Sequence, residues 1–261
     1  MDNIIQNFDS ISLAEMSAIR LMNRSDSKFV TTKDKLELLL KMAYSEYRIQ
    51  EIEGKRNMRY YTVYFDTADH TFYNWHHNGH AGRQKVRLRS YVDTSDSFLE
   101  VKTKNNHNRT SKRRVAVSAS TDELKAMSLV GNSEFLHNQV TTTSAPLSQK
   151  LENRFHRITL VNRMKTERLT IDMDLQFHNL ETDRTFAFQN LVIIELKRDG
   201  LQPSPILSIL RQLHIKPSGF SKYCIGSVLT NSHLRSNRLK KRVRRMLRFE
   251  EKPCILNLFS L

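Results

Sequence analysis

In the segment KVRLRSY, residues 85–91, Lys85, Arg87 and Arg89 alternate with Val86 and Leu88. Strand side chains point to opposite faces in turn, so one face carries three cations and the other carries aliphatics. The pattern recurs. In FLEVKTK, Glu100, Lys102 and Lys104 oppose Leu99 and Val101, and in SKRRVAV, Lys112 and Arg114 oppose Arg113, Val115 and Val117. In ERLTIDMDL, Arg168, Thr170, Asp172 and Asp174 oppose Leu169, Ile171 and Met173, and in VIIELKR, Ile193, Glu195 and Lys197 oppose Ile194 and Leu196. A single strand of this kind is the wet face of an ordinary antiparallel sheet. Repeated across several strands, the crowded cations repel one another, and that cost points to a compensating anion. Bending the sheet into a barrel would place the charged face in a wet tunnel and the aliphatic face against outer helices.

The totals agree. Lys and Arg number 42 against 27 Asp and Glu, a formal charge of +15, which fits a polyanionic partner: nucleic acid, an anionic membrane or a phosphate-rich small molecule. No aromatic-rich RNA-binding sheet, recognition helix or zinc-finger spacing supports specific nucleic-acid binding. Two cysteines, Cys224 and Cys254, build no disulfide framework and no metal knot, so a reducing, cytoplasmic setting is expected. The polar, acidic start of the chain reads as no signal peptide, and no apolar run is long enough to span a bilayer. The sequon at Asn108 then reads as chance.

Periodicity predicts one α+β domain, mainly antiparallel. Leu13, Met16, Ile19 and Met22 predict a short amphipathic helix, and KDKLELLLKMA a second. Strands are expected in DSKFVTT, YRIQEI, RYYTVYFD, QKVRLRSYV, SFLEVKTK and KRRVAVSA, rich in β-branched and aromatic residues. Residues 121–151 read as helical, with Thr121 as a cap and Leu124, Met127 and Leu129 inside. Strands resume with NRFHRITLVNRMKT, ERLTIDMDLQF, RTFAFQN and LVIIELKRDG. A helix follows that Pro203 or Pro205 starts, and the chain from Cys224 onward reads helical and very basic.

The carboxylates on the charged face separate two kinds of anion partner. A nucleic-acid groove seldom needs acids facing the ligand. A phosphate-transfer site does, because a divalent cation bridges protein carboxylate and substrate phosphate. Glu195 is the first candidate, with Glu100, Asp172 and Asp174 as helpers. A salt bridge to a neighbouring arginine is the competing role for each.

SKFV, KVRLRSY, FLEVKTK, SKRRV, ERLTIDMDL, VIIELK and GFSKYCIG, in that order, resemble the polyphosphate-polymerase (VTC-type) domain of the triphosphate tunnel metalloenzyme superfamily. The resemblance spans roughly residues 20–228. It implies a closed antiparallel barrel of about eight strands with flanking helices, followed by a basic helical tail from residue 229 to 261. It also implies transfer of the ATP γ-phosphate to a growing polyphosphate chain, with Mn2+ or Mg2+ as cofactor and ATP and inorganic polyphosphate as partners. Carried over by motif, Arg87, Arg89, Lys102 and Lys222 would be catalytic. Lys28, Lys112, Arg157, Arg168 and Lys197 would bind phosphate, and Glu195 would hold the metal, with Glu100 as a second candidate. Two departures stand out: Phe155 replaces the family's usual tyrosine, and Arg163 rivals Arg157. No domain that senses inositol phosphates is expected before the barrel, and no membrane helices after it. Within the same superfamily, an inorganic or nucleoside triphosphatase and an adenylate cyclase compete with the polymerase. A non-catalytic polyphosphate-binding module is the alternative outside enzymes.

Three remaining features are weighed against blander roles. His76, His77 and His80 are read as part of a Gly-containing turn between strands, without the spacing of a metal site. Tyr73 and Trp75 are expected to pack near the barrel mouth rather than stack on a base, and Cys224 to be a buried small hydrophobe. The tail LRSNRLKKRVRRMLRF has an apolar stripe of Leu239, Val243, Met246 and Leu247. It fits a helix docked on the barrel, a helix contacting an anionic membrane, or a guide for polyphosphate.

Overall fold

Each alternating segment is a strand. The computed structural model describes residues 1–19, 24–106, 110–118, 133–200 and 202–250. In chain order the elements are α1 (Asp2–Ile5), β1 (Asp9–Ser12), α2 (Leu13–Ala18), β2 (Arg24–Thr32), α3 (Lys33–Ala43), β3 (Tyr47–Glu51) and β4 (Met58–Asp66). Then come α4 (Thr71–Asn78), β5 (Gln84–Tyr91), β6 (Asp96–Lys104), β7 (Thr110–Ala116), α5 (Ser133–Gln139), β8 (Ser148–Asn162) and β9 (Glu167–Asn179). The chain continues through β10 (Thr185–Ala187), β11 (Leu191–Asp199), α6 (Pro205–Gln212), α7 (Lys222–Thr230) and α8 (Lys240–Glu250). Met22, Asn108, Cys254 and the expected helix around Thr121, Leu124, Met127 and Leu129 lie outside the described residues.

The strands form one sheet in the order β2-β11-β9-β8-β4-β5-β6-β7, antiparallel at every step. β10 adds to β9, β3 to β8, and β1 runs parallel to β3. The path has eight strands, but it does not close: among the described residues, β2 and β7 form no ladder with each other. This corrects the expected closed barrel, and the outer edge of β2 gives a reason. That edge is taken by the connection after α6 instead: Phe29 bridges Pro217, and the Ser218 N–H donates to the Lys28 carbonyl at 2.7 Å.

The aliphatic face is covered from outside. Leu36, Leu39, Leu40 and Ala43 of α3, at i, i+3, i+4 and i+7, are fully buried. With Ile206, Ile209 and Leu210 of α6 they pack on Ile158, Leu160, Leu169, Ile171, Val192, Ile194 and Leu196. Pro205 starts α6, where its missing N–H costs nothing. Phe135 and Leu136 of α5 cover Val86, Leu88, Leu99 and Val101.

The tail is docked. Met246 of α8 is buried, and Val243, Leu247 and Phe249 pack on the cluster around Phe188 and Leu191. The Glu250 carboxylate accepts the N–H groups of Gln189, Asn190 and Leu191 at 2.7–3.1 Å, which fixes the helix against the start of β11.

Two sequence expectations need correction. The helical reading of residues 121–151 fails at its end, because Ser148–Leu151 belong to β8, whose pairing with β4 outweighs local propensity. His76 and His77 sit in α4 rather than in a turn; Gly79, at φ 78°, ends that helix.

Gly226 lets α7 lie close on the sheet. A β-carbon there would sit 2.4 Å from Phe177 Cδ1 and 2.8 Å from Leu151 Cδ2. Gly226→Ala is expected to destabilise the protein by roughly 1–3 kcal/mol, measured by denaturant unfolding. An unchanged midpoint would show that α7 slides freely.

Candidate functional site

The charged face lines a cavity of about 1290 Å³. Opposite parts of the sheet converge on one connection to enclose it. Lys28 of β2 donates to the Phe220 carbonyl at 3.1 Å, and Lys85 of β5 donates to Ser221 Oγ at 2.9 Å. Among the described residues, twelve Lys and Arg side chains line the cavity against three carboxylates, Asp26, Asp172 and Glu195. So large an excess in a confined space is stable only with anions nearby.

Glu100 anchors one wall. It is wholly buried, and it takes Arg87 on one oxygen (2.6 and 2.7 Å) and Lys112 on the other (3.0 Å). Burial alone would raise its carboxyl, but Arg87, Arg89 and Lys112 hold it well below the usual range. Lys102 lies between Lys85 and Lys112 in register, and has no hydrogen bond or ion pair among the described residues. Arg87, then burial, pull its ammonium well down.

Asp172 anchors the opposite wall. Arg157 grips it with two nitrogens, at 2.5 and 2.8 Å, and Lys222 at the start of α7 bonds the same carboxylate. Burial works against the charge on Asp172, yet Arg157 and Lys222 hold it well below the usual range. Beneath lies an aromatic floor. Tyr60 and Phe155 stack with centroids 5.0 Å apart. Arg89 lies 5.6 Å and Arg157 4.9 Å from the Tyr60 ring, and Lys222 lies 4.2 Å from that of Phe155. Phe155 therefore supports cations without a hydroxyl. Among the described residues Arg89 donates one long 3.3 Å bond, to Thr62, and burial with Arg87 and Arg157 pulls it down to about 10.

Glu195 differs from the other two anchors. Its side chain is 25% exposed, it pairs with Lys197, and Lys28 stands 3.9 Å away. Burial opposes its charge, but Lys197 and Lys28 keep it ionised far below the usual range. Among the described residues no group of three or more His, Cys, Asp or Glu could cage a metal ion. The donors instead fit a cation bound through one carboxylate, with phosphate oxygens and water completing the shell, as Mg2+ and Mn2+ prefer. Of the candidates Glu100, Asp172 and Glu195, Glu195 is the one open to such an ion, because Glu100 and Asp172 have both oxygens committed to cations.

Lys28, Arg87, Arg89, Lys102, Lys112, Arg157, Arg168, Glu195, Lys197 and Lys222 all line this one cavity, with Glu100 behind them. Asp174 does not join them. Its φ of 54° breaks the alternation beside a register shift in the β8–β9 ladder, and its carboxylate turns to Lys33 at 2.6 Å and His156 at 3.3 Å. Arg163 binds Asp9 at 2.7 Å and stands outside. Trp75 stacks on His80, and Tyr73 donates to the Arg235 carbonyl, so neither lines the cavity. Cys224 is buried, and burial pushes its thiol up. Motif reasoning passed over Tyr60, Tyr64 and Tyr91, which line the cavity. The signal was present: Tyr60, Thr62 and Tyr64 share one parity in RYYTVYFD. It also assigned no role to Lys85, although Lys85 shares the face of Arg87 and Arg89.

Crowding makes the free site proton-sensitive. Burial, with Arg157, pulls the Lys222 ammonium down to about 7, and burial, with Lys28, Arg83 and Arg87, pulls Lys85 down to about 8. A bound polyanion restores both toward the ordinary lysine value of about 10.4. Between these limits binding takes up protons, so affinity falls as pH rises through 7–8. Calorimetry of a long polyphosphate at pH 8, in two buffers of different ionisation enthalpy, should show net proton uptake; net release would contradict this electrostatic account.

The VTC domain family model matches residues 23–231. The chain belongs to the VTC domain family. Among solved structures, a candidate adenylyl cyclase from Hippeastrum with a dominant triphosphatase activity is similar at TM-score 0.50 and 13% identity, over 80% of this chain and 97% of that one. A candidate adenylate cyclase from Bacillus halodurans is similar at TM-score 0.48 and 14% identity, over 77% of this chain and 96% of that one. At such identities the likeness to the Hippeastrum protein concerns the fold alone. No curated protein matches the sequence. Among the described residues of this VTC domain, no helix is long and apolar enough to cross a membrane.

Proposed function

We propose that this VTC domain is a metal-dependent phosphotransferase that moves the γ-phosphoryl group of ATP to the end of an inorganic polyphosphate chain. The observation that carries the reading is the cavity with a large cationic excess and a candidate carboxylate, Glu195, that is less committed to cations than Glu100 and Asp172. Phosphoryl transfer asks for positioning and charge neutralisation rather than covalent help. Arg87, Arg89, Lys102 and Lys112 on one wall, and Arg157 and Lys222 on the other, hold the triphosphate and the acceptor end between them. Lys28, Arg168 and Lys197 extend the phosphate track.

A terminal oxygen of the acceptor, already ionised, attacks the γ-phosphorus. The new P–O bond forms as the bond from the γ-phosphorus to the β–γ bridging oxygen breaks, and ADP leaves with that electron pair. No general base is needed. The fixed guanidinium groups stabilise the charge that spreads over the transferring group. A divalent cation on Glu195 would supply further neutralisation of the phosphate oxygens. Glu100 and Asp172 hold the cations in place and do not act as ligands.

Triphosphatase action, with water as the attacker, is the second reading. The unclosed β2–β7 seam favours it, as does the activity reported for the similarly folded Hippeastrum protein. Incubation with ATP and Mn2+ or Mg2+ separates the two. Stained polyphosphate on a gel matched by ADP supports transfer, free phosphate without polymer supports hydrolysis, and neither product removes both.

A further inference from the structure

The basic helix α8 has a face that the catalytic reading leaves unused. Its apolar side is spent on the core, through Met246, Val243, Leu247 and Phe249. Its other side presents Lys240, Lys241, Arg244, Arg245 and Arg248 to solvent. Among the described residues none of these pairs with a carboxylate, and the acid of the helix, Glu250, is committed to backbone N–H groups of residues 189–191. Like charges three and four residues apart on a helix destabilise it. Here they are concentrated on one side: Lys241, Arg245 and Arg248 lie at i, i+4 and i+7.

A second cavity, of about 460 Å³, lies between the first and α8. The two cavities share Asp26, Lys28, His76, Phe220 and Ser221, and the second adds Arg242 of α8. The Arg242 guanidinium lies over Gly219, its carbon 3.7 Å from where a β-carbon would sit. Arg242 and Arg245 are neighbours on the helix, three residues apart. The approach to α8 is held rigidly, with Arg238 bonded to the Asn78 carbonyl at 2.7 Å and Tyr73 to the Arg235 carbonyl.

We infer that the second cavity is a port for the polyphosphate chain, and that α8 is its outer track. The chain passes from Lys28 to Arg242 and then lies along Lys241, Arg245 and Arg248. This rests on the reading that the main cavity holds a phosphate chain. An anionic membrane is the weaker occupant, because a surface helix needs a free apolar face to bury in lipid, and α8 has already docked its own.

The test compares two ligands that differ only in reach. Tripolyphosphate is short enough for the main cavity, whereas a long polyphosphate must run past the port. Binding of both is measured in the absence of ATP, for the wild type, for Lys241→Gln/Arg245→Gln/Arg248→Gln, and for Arg242→Gln alone. The triple variant changes exposed side chains only, and an unchanged thermal midpoint confirms its fold. Its affinity for the long chain should fall about tenfold, the sum of three modest exposed contacts, with tripolyphosphate unaffected. Arg242→Gln should show the same selective loss, smaller in size. Equal losses for both ligands, or none for either, would overturn the port. So would unchanged long-chain binding alongside lost sedimentation on phosphatidylserine vesicles, which would assign the face to a membrane. Failure of the wild type to bind tripolyphosphate would overturn the phosphate-cavity reading itself, and this inference with it.

Discussion

Glu195→Gln is expected to lower metal-dependent turnover by at least about 10²–10³-fold, the scale of losing one preorganised charge-stabilising group. The substitution keeps shape and size, so the wall should remain packed. It removes a lining carboxylate that pairs, among the described residues, with Lys197 directly and has Lys28 at 3.9 Å. Without that negative charge a divalent cation loses its protein ligand, while the cavity becomes more cationic. Tripolyphosphate binding measured in a chelator should therefore be unchanged or tighter. Loss of rate with retained binding separates a role in the reaction from one in folding. A variant that turns over like the wild type removes Glu195 from the reaction. The charge state of Glu195 adds no constraint at working pH, because its neighbours keep it ionised far below the usual carboxylate range.

Glu100→Gln should act on stability instead, by about 3–5 kcal/mol, the usual cost of stranding buried partners. Glu100 is fully buried, and its two oxygens neutralise Arg87 and Lys112. Glutamine fits the space but leaves both cations facing Lys102 and Arg89 without a counter-charge. A bound polyanion can supply what the side chain lost. Added tripolyphosphate should therefore raise the unfolding midpoint of the variant more than that of the wild type. The pH dependence has a definite sign. A carboxylate whose folded pKa is depressed contributes stability above its unfolded value, and that stability is lost as pH falls through the folded pKa. The wild type should lose this contribution only in strong acid, and the variant should lack it at every pH. A loss below about 1 kcal/mol would mean that water or local movement already screens the two cations.

The placements that read correctly from the chain are those governed by local parity. Lys85, Arg87 and Arg89 share a face because strand geometry leaves no alternative, and Lys112, Lys197 and Glu195 follow by the same rule, whereas Lys28 comes from the family resemblance. The apolar partners of these residues likewise had to lie on the other face, against α3, α5 and α6. Asp174 shows where parity stops. Asp tolerates a left-handed backbone more readily than most residues, and a single such residue at a register shift turns the carboxylate out of the cavity. The histidines of α4 show a different failure, because a short helix between strands carries no period long enough to declare itself.

How each acid is paired lay beyond the sequence. Glu100, Asp172 and Glu195 occupy equivalent positions in their alternating patterns, yet only distances between strands far apart in the chain tell them apart. Arg157 and Lys222, 65 positions apart in the numbering, meet on Asp172 because of the way the sheet curls and α7 docks. The open seam between β2 and β7 is likewise a property of the assembled sheet. Alternation alone determined that this chain would gather cations on a single surface, because side-chain direction in a strand is set residue by residue. How those cations are shared among acids, aromatic rings and a prospective phosphate chain was decided only by tertiary structure, because electrostatic pairing depends on distances that sequence separation does not encode.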